Sequence, residues 1–287
     1  MQLVSDRAFD LSPEQLAGIQ VTLAPLYFTL DGRTYSSGVD IQPDGFYELL
    51  SSTESFPVTS QPSAGEFAKI YQELAATDPE ILSLHVSSGL SGTLNAAKAG
   101  AAMVPEAHVT FIDSLTLSCP MGWQVEAAAR AIQAGWRVER ITPLLDRIRA
   151  TTEGMFTLPT LKYLIHGGRI GHLKGLVASV LNIKPVIGVE KQKGMYATLG
   201  QEVTMKRAIY KMAELVARFH PLGSALRVQV LHGKNMEGAM ALQEKLSTLF
   251  QCTFETITTI SPVLGAHTGA GLVGMAVGMA DVFKDIP

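Results

Sequence analysis

Residues 87–93 contain four hydroxyl side chains and two glycines immediately before a predicted helix. The start of a helix has free backbone N–H groups and the positive end of the helix dipole, and both stabilise a bound carboxylate or phosphate. Ser and Thr at such a position also cap a helix by accepting hydrogen bonds from its first amides. The segment therefore predicts either an anion site or a plain helix cap.

The same loop also suggests a nucleophile. Gly89-Leu90-Ser91 resembles the start of the G-x-S-x-G turn of serine hydrolases, but Gly92 comes one position too early and Thr93 occupies the place of the second glycine. His267 and Asp113 are of the residue types that complete a Ser-His-Asp triad. A serine hydrolase acting on acyl substrates is thus an alternative hypothesis.

Cofactor and metal motifs receive little support. Residues 269–274 match the dinucleotide pattern G-x-G-x-x-G, but we expect too few residues after Gly274 for the helix, strand and acidic ribose ligand of that fold. These glycines predict instead a closely packed helix. The 7 histidines show no metal-ligand spacing, and no G-x-x-x-x-G-K-[ST] loop occurs. We predict neither a metal nor a cofactor.

Three further polar stretches could form part of a site or could be ordinary turns and helix ends. His267 lies in the turn-rich segment 265–269, where a loop histidine is either structural or functional. Residues 59–63 form a polar entry to a helix, with Pro62 restricting the chain. Arg169 follows two glycines, as expected for a helix end and a surface cation.

The elements that must position these residues alternate in the first half. Residues 12–15 and 63–66 have the pattern of capping boxes at helix starts, and a hairpin turn at Asp31-Gly32 follows an apolar run over 21–30. Apolar strands at 81–86 and 109–112 are each followed by a polar loop and a helix, at about 94–103 and 124–134. Such units predict a mostly parallel sheet with flanking helices and ligands at its carboxyl ends.

The second half predicts a mixed sheet. Strands are expected at 154–158, 183–189, 196–199, 227–231 and 254–260, and helices at 160–166, 209–219 and 242–250. The strands at 183–189 and 196–199 flank a turn at Gly194. We therefore predict two α/β domains, residues 1–150 and 151–287.

Composition excludes several classes of protein. With 47% hydrophobic residues, 17% charged residues and a mean hydropathy of +0.20, the 287-residue chain is not disordered. The 23 basic and 26 acidic side chains give no basic excess for nucleic acid. The 2 cysteines form no disulfide framework, and we expect neither a secretory signal nor stable membrane insertion. A cytoplasmic protein is predicted.

Taken in order, the motifs of the chain resemble those of the DegV family of bacterial fatty-acid-binding proteins. The resemblance extends from Ser5-Asp6 to Gly278. The matching stretches are residues 59–63, 87–93, Asp113-Ser114, 163–170, Asn182-Ile183-Lys184-Pro185 and 265–269.

The resemblance implies two α/β domains that enclose a long-chain fatty acid, with its carboxylate at the junction and its tail in a closed apolar tunnel. It also implies a partner acyl kinase that converts the bound fatty acid into an acyl phosphate for phospholipid synthesis. Thr59 and Ser91 match the positions that bind the carboxylate, and Arg169 and His267 match positions beside it. The other predicted ligand-binding residues, from the same stretches, are Ser60, Ser88, Gly92, Thr93, Asp113, Ser114 and Thr268.

Three places depart from the family pattern, and none is one of the four head-group positions. Arg7 follows Ser5-Asp6 where a small hydroxyl residue is usual, Ala270 replaces the proline of G-P-G, and Cys119-Pro120-Met121 occupies a place of small residues. We expect these departures to affect the shape of the tunnel and hence acyl preference. A carrier of another amphipathic ligand remains a further alternative.

The charges are unevenly distributed along the chain. Residues 1–150 carry 9 basic and 17 acidic side chains, so the basic excess lies in the second half. We predict that Arg169, Lys206 and Arg207 dock the kinase, because an acyl phosphate and a protein partner could both be attracted by a basic rim. The alternative is that these side chains are scattered surface charges.

Overall fold

The computed structural model describes residues 1–171, 173 and 183–287. The strands are β1 Gln2–Asp6, β2 Thr22–Ala24, β3 Tyr27–Leu30, β4 Arg33–Ser36, β5 Val58–Ser60, β6 Glu80–His85, β7 His108–Asp113, β8 Thr152–Thr157, β9 Lys184–Glu190, β10 Met195–Glu202, β11 Ala225–His232, β12 Gln251–Phe254, β13 Thr258–Thr259 and β14 Val273–Met279. The helices are α1 Pro13–Leu16, α2 Pro43–Ser51, α3 Ala64–Ala75, α4 Thr93–Ala101, α5 Ser118–Gln133, α6 Val138–Thr151, α7 Lys162–His166, α8 Met205–Val216, α9 Met236–Ser247, α10 Pro262–Thr268 and α11 Ala280–Phe283.

A four-stranded parallel sheet forms the first half, in the order β2-β1-β6-β7. Side chains of a strand alternate between its two faces. Leu82 and Leu84 of β6 accordingly join the core that contains α5, whereas Ile81 packs with residues of α3 and α4. The predicted parallel sheet with helices on both faces is confirmed, and its carboxyl ends carry the polar loops after Asp6, His85 and Asp113.

A separate three-stranded antiparallel sheet, β4-β3-β5, holds the hairpin predicted at Asp31-Gly32. Both turn residues have positive φ, 49° and 77°, as a tight hairpin turn requires. The apolar run over 21–30 is two strands rather than one, because the chain changes sheet at Pro25-Leu26 between β2 and β3. Pairing with β3 places Thr59 opposite Phe28 and Ser60 opposite Tyr27.

A seven-stranded mixed sheet forms the second half. Its order is β10-β9-β8-β14-β11-β12, and β13 also pairs with β11. Only the pairings of β11 with β12 and β13 are parallel, so the predicted mixed sheet is confirmed. One face packs against α8 and α9, and the other packs against α5 and α6.

Helix α5 lies between the two large sheets, with contacts to β1 on one side and to β8 and β14 on the other. Of its 16 residues, 12 are buried. On this helix Trp123 donates its Nε1–H to Oε1 of Gln229 at 3.0 Å, and Gln15 donates to the same oxygen at 3.2 Å. The helix begins six residues before the predicted start, because Pro120 is tolerated in a first turn whose amides have no helical partner. The boundary near residue 150 remains our proposal.

Three other expectations are corrected. His267 lies in α10 and not in a loop, because residues 262–268 continue as a helix after Pro262 at its first position. Gly274 lies in β14 and Gly269 is the C-cap of α10, so the glycines of 269–274 do not lie within a helix. The predicted strand over 254–260 is interrupted between β12 and β13. None of the helices that the structure describes is long and apolar enough to cross a membrane.

Candidate functional site

The buried carboxylate of Asp6 connects the carboxyl ends of β1 and β6, which lie next to the candidate site. Asp6 accepts hydrogen bonds from the backbone N–H groups of Ala8 and Val86, each at 2.9 Å, and its Oδ2 lies 3.0 Å from Nδ1 of His85. The side chains of Asp6 and His85 are completely buried. Ala8 and Val86 both line the cavity described next, so Asp6 holds two parts of its wall in register.

A cavity of about 340 Å³ lies between the loops of the parallel sheet, β5, α10 and Arg169. Its lining combines hydroxyl, amide and cationic groups with apolar side chains. The lining residues are Ala8, Leu26, Thr59, Ser60, Gln61, Val86, Leu90, Ser91, Leu117, Arg169, Tyr196, Val263, Leu264 and His267. We call this space the polar cavity.

Thr59 and His267 form a hydrogen bond in the wall of the polar cavity, with 2.8 Å between Oγ1 and Nε2. Burial, reinforced by the charge of Arg169, lowers the pKa of His267 to about 3. The imidazole is therefore neutral at neutral pH and carries one N–H. Its Nδ1 has no hydrogen-bond partner among the described residues.

Arg169 provides the positive charge of the polar cavity. Its Nη1 donates to the carbonyl oxygen of Gly167 at 2.6 Å, and its Nε donates to that of Leu90 at 3.4 Å. Within the described parts of the chain it forms no ion pair with a carboxylate. Its charge disfavours protonation of His267 and opposes the increase in the pKa of Tyr196 that burial causes. An anion entering the cavity would meet an uncompensated cation.

The loop that carries Ser91 is shaped by its neighbours. Ser91 Oγ accepts from the backbone N–H of Thr93 at 3.3 Å and lies 2.8 Å from Thr93 Oγ1. A side chain on Gly92 would approach Gln61, since an added Cβ would lie 2.5 Å from Gln61 Oε1. Gly92 and Thr93 do not line the polar cavity. Ser91 lies directly before α4, whose N-cap is Gly92 and has no side-chain capping hydrogen bond.

A second, apolar cavity of about 50 Å³ adjoins the first and shares Leu117, Tyr196, Leu264 and His267 with it. We call it the apolar cavity. The remaining residues of its lining are Thr116, Ser118, Pro120, Gly154, Met155, Phe156, Val189, Leu231, Ile260, Thr268, Leu272, Gly274 and Met275. A cationic, hydroxyl-rich chamber that continues into an apolar one suits an amphipathic anion.

Six of the predicted ligand-binding residues line these cavities, and the structure brings them together from distant parts of the chain. They are Thr59, Ser60, Ser91, Arg169, His267 and Thr268. Ser88, Asp113 and Ser114 do not line either cavity. Asn182, from the motif at 182–185, lies outside the described residues.

The contacts of Ser88, Asp113 and Ser114 are local. Asp113 accepts from the hydroxyl of Ser88 at 2.5 Å and from the backbone N–H of Leu115 at 3.0 Å. Ser114 donates its hydroxyl to the carbonyl oxygen of Thr116 at 3.0 Å. The bond between Ser88 and Asp113 joins the loop after β6 to the end of β7, whereas the other two bonds lie within the chain segment 113–116.

The triad of the hydrolase hypothesis is not assembled in the described structure. Asp113 bonds Ser88 and Leu115, His267 bonds Thr59, and Ser91 bonds Thr93. A different triad-like chain exists in the core, where Ser83 Oγ lies 2.7 Å from Nε2 of the His85 that contacts Asp6. Ser83 is fully buried and also contacts the Tyr71 hydroxyl, so no substrate reaches it.

Sequence reasoning missed residues of the walls. Tyr196 lines both cavities, but an aromatic residue in a hairpin strand gives no signal that distinguishes a wall from ordinary core. Gln61 lies in the polar stretch 59–63 and lines the polar cavity, but it was not among the predicted ligand-binding residues. Ser87 lines neither cavity, but it was also not predicted as a site residue, and its Oγ donates to the carbonyl oxygen of Gly194 at 2.7 Å.

The predicted docking cations lie elsewhere. Arg207 pairs with Glu202 at 3.0 Å, and Lys206 lies over the ring of Tyr210. Tyr196 is near the start of β10 and Glu202 is its last residue, so about 20 Å of strand separates the cavity wall from this ion pair. Lys206 and Arg207 therefore do not form one rim with Arg169.

No group of three or more His, Cys, Asp or Glu side chains in the described ranges is arranged to hold a metal ion. The groups of the site are hydroxyls, an amide, a neutral imidazole and a guanidinium. They can bind and orient an anion, and the neutral His267 can donate or accept one proton at Nε2.

Comparison with known proteins agrees with this architecture. A DegV domain-containing protein of Deinococcus radiodurans is 35% identical over 277 residues, which is 96% of this chain and 97% of the relative. A DegV family protein from Thermus thermophilus, described for its fatty acid binding, superimposes with a TM-score of 0.87 at 29% identity and covers 97% of this chain and 99% of its own.

DegV of Bacillus subtilis, described as a fatty acid binding protein, gives a TM-score of 0.86 at 27% identity over 97% of this chain and 98% of its own. The sequence model of the family described as "uncharacterised protein, DegV family" matches residues 1–279. A match over nearly the whole length, with this fold, leads to one assignment: the chain belongs to the DegV family.

Proposed function

We propose that the protein binds one long-chain fatty acid, with the carboxylate in the polar cavity and the tail extending from there into the apolar cavity. The hydrogen bond between Thr59 and the neutral His267 is the observation that carries this proposal. When Nε2 of His267 holds the ring proton, it donates to Thr59 Oγ1. The hydroxyl hydrogen of Thr59 is then available to a carboxylate.

The other groups of the polar cavity complete the head-group site. Ser91 presents a second hydroxyl, and the uncompensated charge of Arg169 attracts the anion. Hydrogen bonds to a charged partner contribute about 1.5–3 kcal/mol each. Each methylene of the tail contributes about 0.8 kcal/mol, so the tail supplies most of the affinity and the head group sets the orientation.

The described relatives support the ligand class. The proteins of T. thermophilus and B. subtilis share the fold over nearly the whole chain and are described as binding fatty acids. Another protein of this fold, from Eubacterium ventriosum, is described as binding stearic acid and is 26% identical. Thr59, Ser91, Arg169 and His267, the four head-group positions predicted from the family motifs, all line the polar cavity here.

We propose further that the protein presents the carboxylate to a partner acyl kinase and is not itself an enzyme. In that step a carboxylate oxygen attacks the terminal phosphorus of a nucleoside triphosphate, the bond from that phosphorus to the bridging oxygen breaks, and a nucleoside diphosphate leaves. Hydroxyl donors hold the carboxylate without transferring a proton to it, so its oxygens remain nucleophilic. In this proposal the cationic side chain of Arg169 stabilises the added charge of the acyl phosphate.

Extraction of the purified protein with denaturant, followed by mass spectrometry of the lipid, tests this function. We expect about one equivalent of fatty acid, because the free energy of the system decreases when a hydrocarbon chain replaces water in an apolar cavity. Apo protein that takes up neither palmitate nor oleate would contradict the proposal, and another amphipathic molecule in the extract would favour the alternative carrier. Stoichiometric labelling of Ser91 by a fluorophosphonate would favour the hydrolase.

A further inference from the structure

Pro120 and Gly154 pack closely against each other at one end of the apolar cavity. Pro120 is the third residue of α5, Gly154 lies in β8, and both line this cavity. A Cβ added to Gly154 would lie 2.7 Å from Cγ of Pro120. The proline ring thus occupies the space that a side chain at 154 would need.

Polar groups lie behind this contact. A second small pocket, of about 20 Å³, shares Pro120, Gly154, Thr116 and Val189 with the apolar cavity. Its remaining lining is Leu115, Gln124, Arg149, Thr152 and Lys191. A hydrocarbon chain that passed Pro120 would remove water from these charged and polar side chains without offering a hydrogen bond, which is unfavourable.

We propose that the contact between Pro120 and Gly154 closes the acyl site and sets the longest fatty acid that the protein binds. This inference rests on the proposed fatty-acid binding and deepens it. The preferred ligand is a fatty acid whose terminal methyl group lies against the ring of Pro120. Chains that are longer by a few carbons are excluded by the ring and by the polar groups behind it.

The proposal can be tested by removing side-chain atoms at position 120 and adding a methyl group at position 154. Pro120→Ala removes the ring atoms Cγ and Cδ, and alanine is well tolerated in a first helical turn. In that background Gly154→Ala places a methyl group close to the position that Cγ occupied. The single variant opens the end of the cavity, and the double variant closes it again.

The experiment measures competition among saturated fatty acids that differ by two carbons, by native mass spectrometry on delipidated protein. For Pro120→Ala we expect the longest well-bound chain to increase by about two carbons, with a gain of roughly fourfold in relative affinity for each methylene accommodated. For Pro120→Ala with Gly154→Ala we expect the wild-type profile. Gly154→Ala alone should shift the profile toward shorter chains.

Pro13→Ala is the matched control, because Pro13 also lies in a first helical turn but is exposed and outside both cavities. It should leave the profile unchanged. Identical profiles for wild type and Pro120→Ala would overturn the inference while leaving fatty-acid binding intact. If the wild-type protein bound none of the fatty acids, that result would instead contradict the proposed function. Circular dichroism establishes that each variant is folded before its profile is compared.

Discussion

Ser87 Oγ donates a hydrogen bond to the carbonyl oxygen of Gly194 at 2.7 Å, although 107 positions separate the two residues. Gly194 has φ 63° in the turn between β9 and β10. Ser87 is fully buried beneath this turn. The bond ties the hydroxyl loop of the parallel sheet to the mixed sheet, so a wall of the polar cavity depends on both.

Gly194→Ala should destabilise the protein more than backbone strain alone explains. Alanine at positive φ costs about 1–2 kcal/mol, and a Cβ at 194 would overlap Ser87 Oγ. Gly223→Ala is the control, because Gly223 has φ +79° with nothing near its added Cβ. Urea denaturation should give a free energy of unfolding lower by at least about 1 kcal/mol for Gly194→Ala than for Gly223→Ala. Equal losses would show that the Ser87 contact is unimportant.

Thr59→Val should weaken fatty-acid binding about ten- to a hundredfold. The change removes the hydroxyl but keeps the branched shape, so one hydrogen bond to the carboxylate is lost, worth about 1.5–3 kcal/mol. Thr59→Ser keeps the hydroxyl and should remain close to wild type. Calorimetric titration of delipidated protein with palmitate measures both. Wild-type affinity in Thr59→Val would exclude the hydroxyl from the head-group site.

His267 should make the ligand-free protein less stable as the pH falls. Its pKa is about 3 in the folded protein, whereas an exposed histidine has a pKa near 6.5. Between these values the unfolded chain binds a proton that the folded chain does not, so the free energy of unfolding decreases as the pH falls through 6.5. This contribution is about 2 kcal/mol between pH 7 and pH 5.

His267→Gln removes that titration and keeps a hydrogen-bond donor. Its stability should therefore decrease less than that of wild type between pH 7 and pH 5, as measured by urea midpoints. The buried His220 and His232, whose pKa values are also lowered by burial, are present in both proteins and cancel in the comparison. The same decrease in both proteins would mean that His267 titrates normally.

Arg169→Gln should discriminate between charged and neutral ligands. Because the guanidinium has no described carboxylate partner, its charge is available to a bound anion. We expect oleate to bind roughly tenfold more weakly and oleyl alcohol to bind with unchanged affinity. Competition against a fluorescent fatty acid measures both ligands. An equal loss for the alcohol would indicate that Arg169 only supports the loops at Leu90 and Gly167.

Charge reversal at Lys206 and Arg207 tests the prediction from the sequence that these two cations dock the kinase, now at a surface separate from Arg169. The double variant Lys206→Glu, Arg207→Glu should slow phosphorylation by an acyl kinase and reduce its dependence on salt, while fatty-acid affinity stays within about twofold. Arg207 pairs with Glu202, so Glu202→Gln is the control for loss of that ion pair alone. An unchanged rate at low salt would show that the kinase docks elsewhere.

Local signals in the sequence predicted much of the fold. Ser12 with Gln15 and Ser63 with Glu66 form the expected capping boxes, because both partners of a capping box lie within one turn. Gly194 forms the expected turn between antiparallel strands. At two prolines the prediction was wrong: the strand was expected to continue through Pro25, and the helix was expected to begin after Pro120. The strand break at Pro25 depends on which sheet each side joins, and the helical turn around Pro120 depends on its neighbours.

The candidate site was predictable in its residue types and less so in its contacts. Thr59, Ser91, Arg169 and His267 were selected from motifs, yet their convergence depends on α10 and on sheet pairings between distant segments. Asp113 was selected as a ligand residue, and its bond to Ser88 follows from the adjacency of β6 and β7. No local pattern could predict the fit of Pro120 against Gly154.

The position of α5 between the two sheets has a consequence for how the chain folds. One side of this helix is covered by β1, which is synthesised first, and the other by β14, which lies near the end of the sequence. During synthesis the first 150 residues would expose the side of α5 that β8 and β14 cover in the complete fold. The two sheets are therefore expected to acquire stability in a single cooperative step, and a ribosome-bound first half should need protection from aggregation.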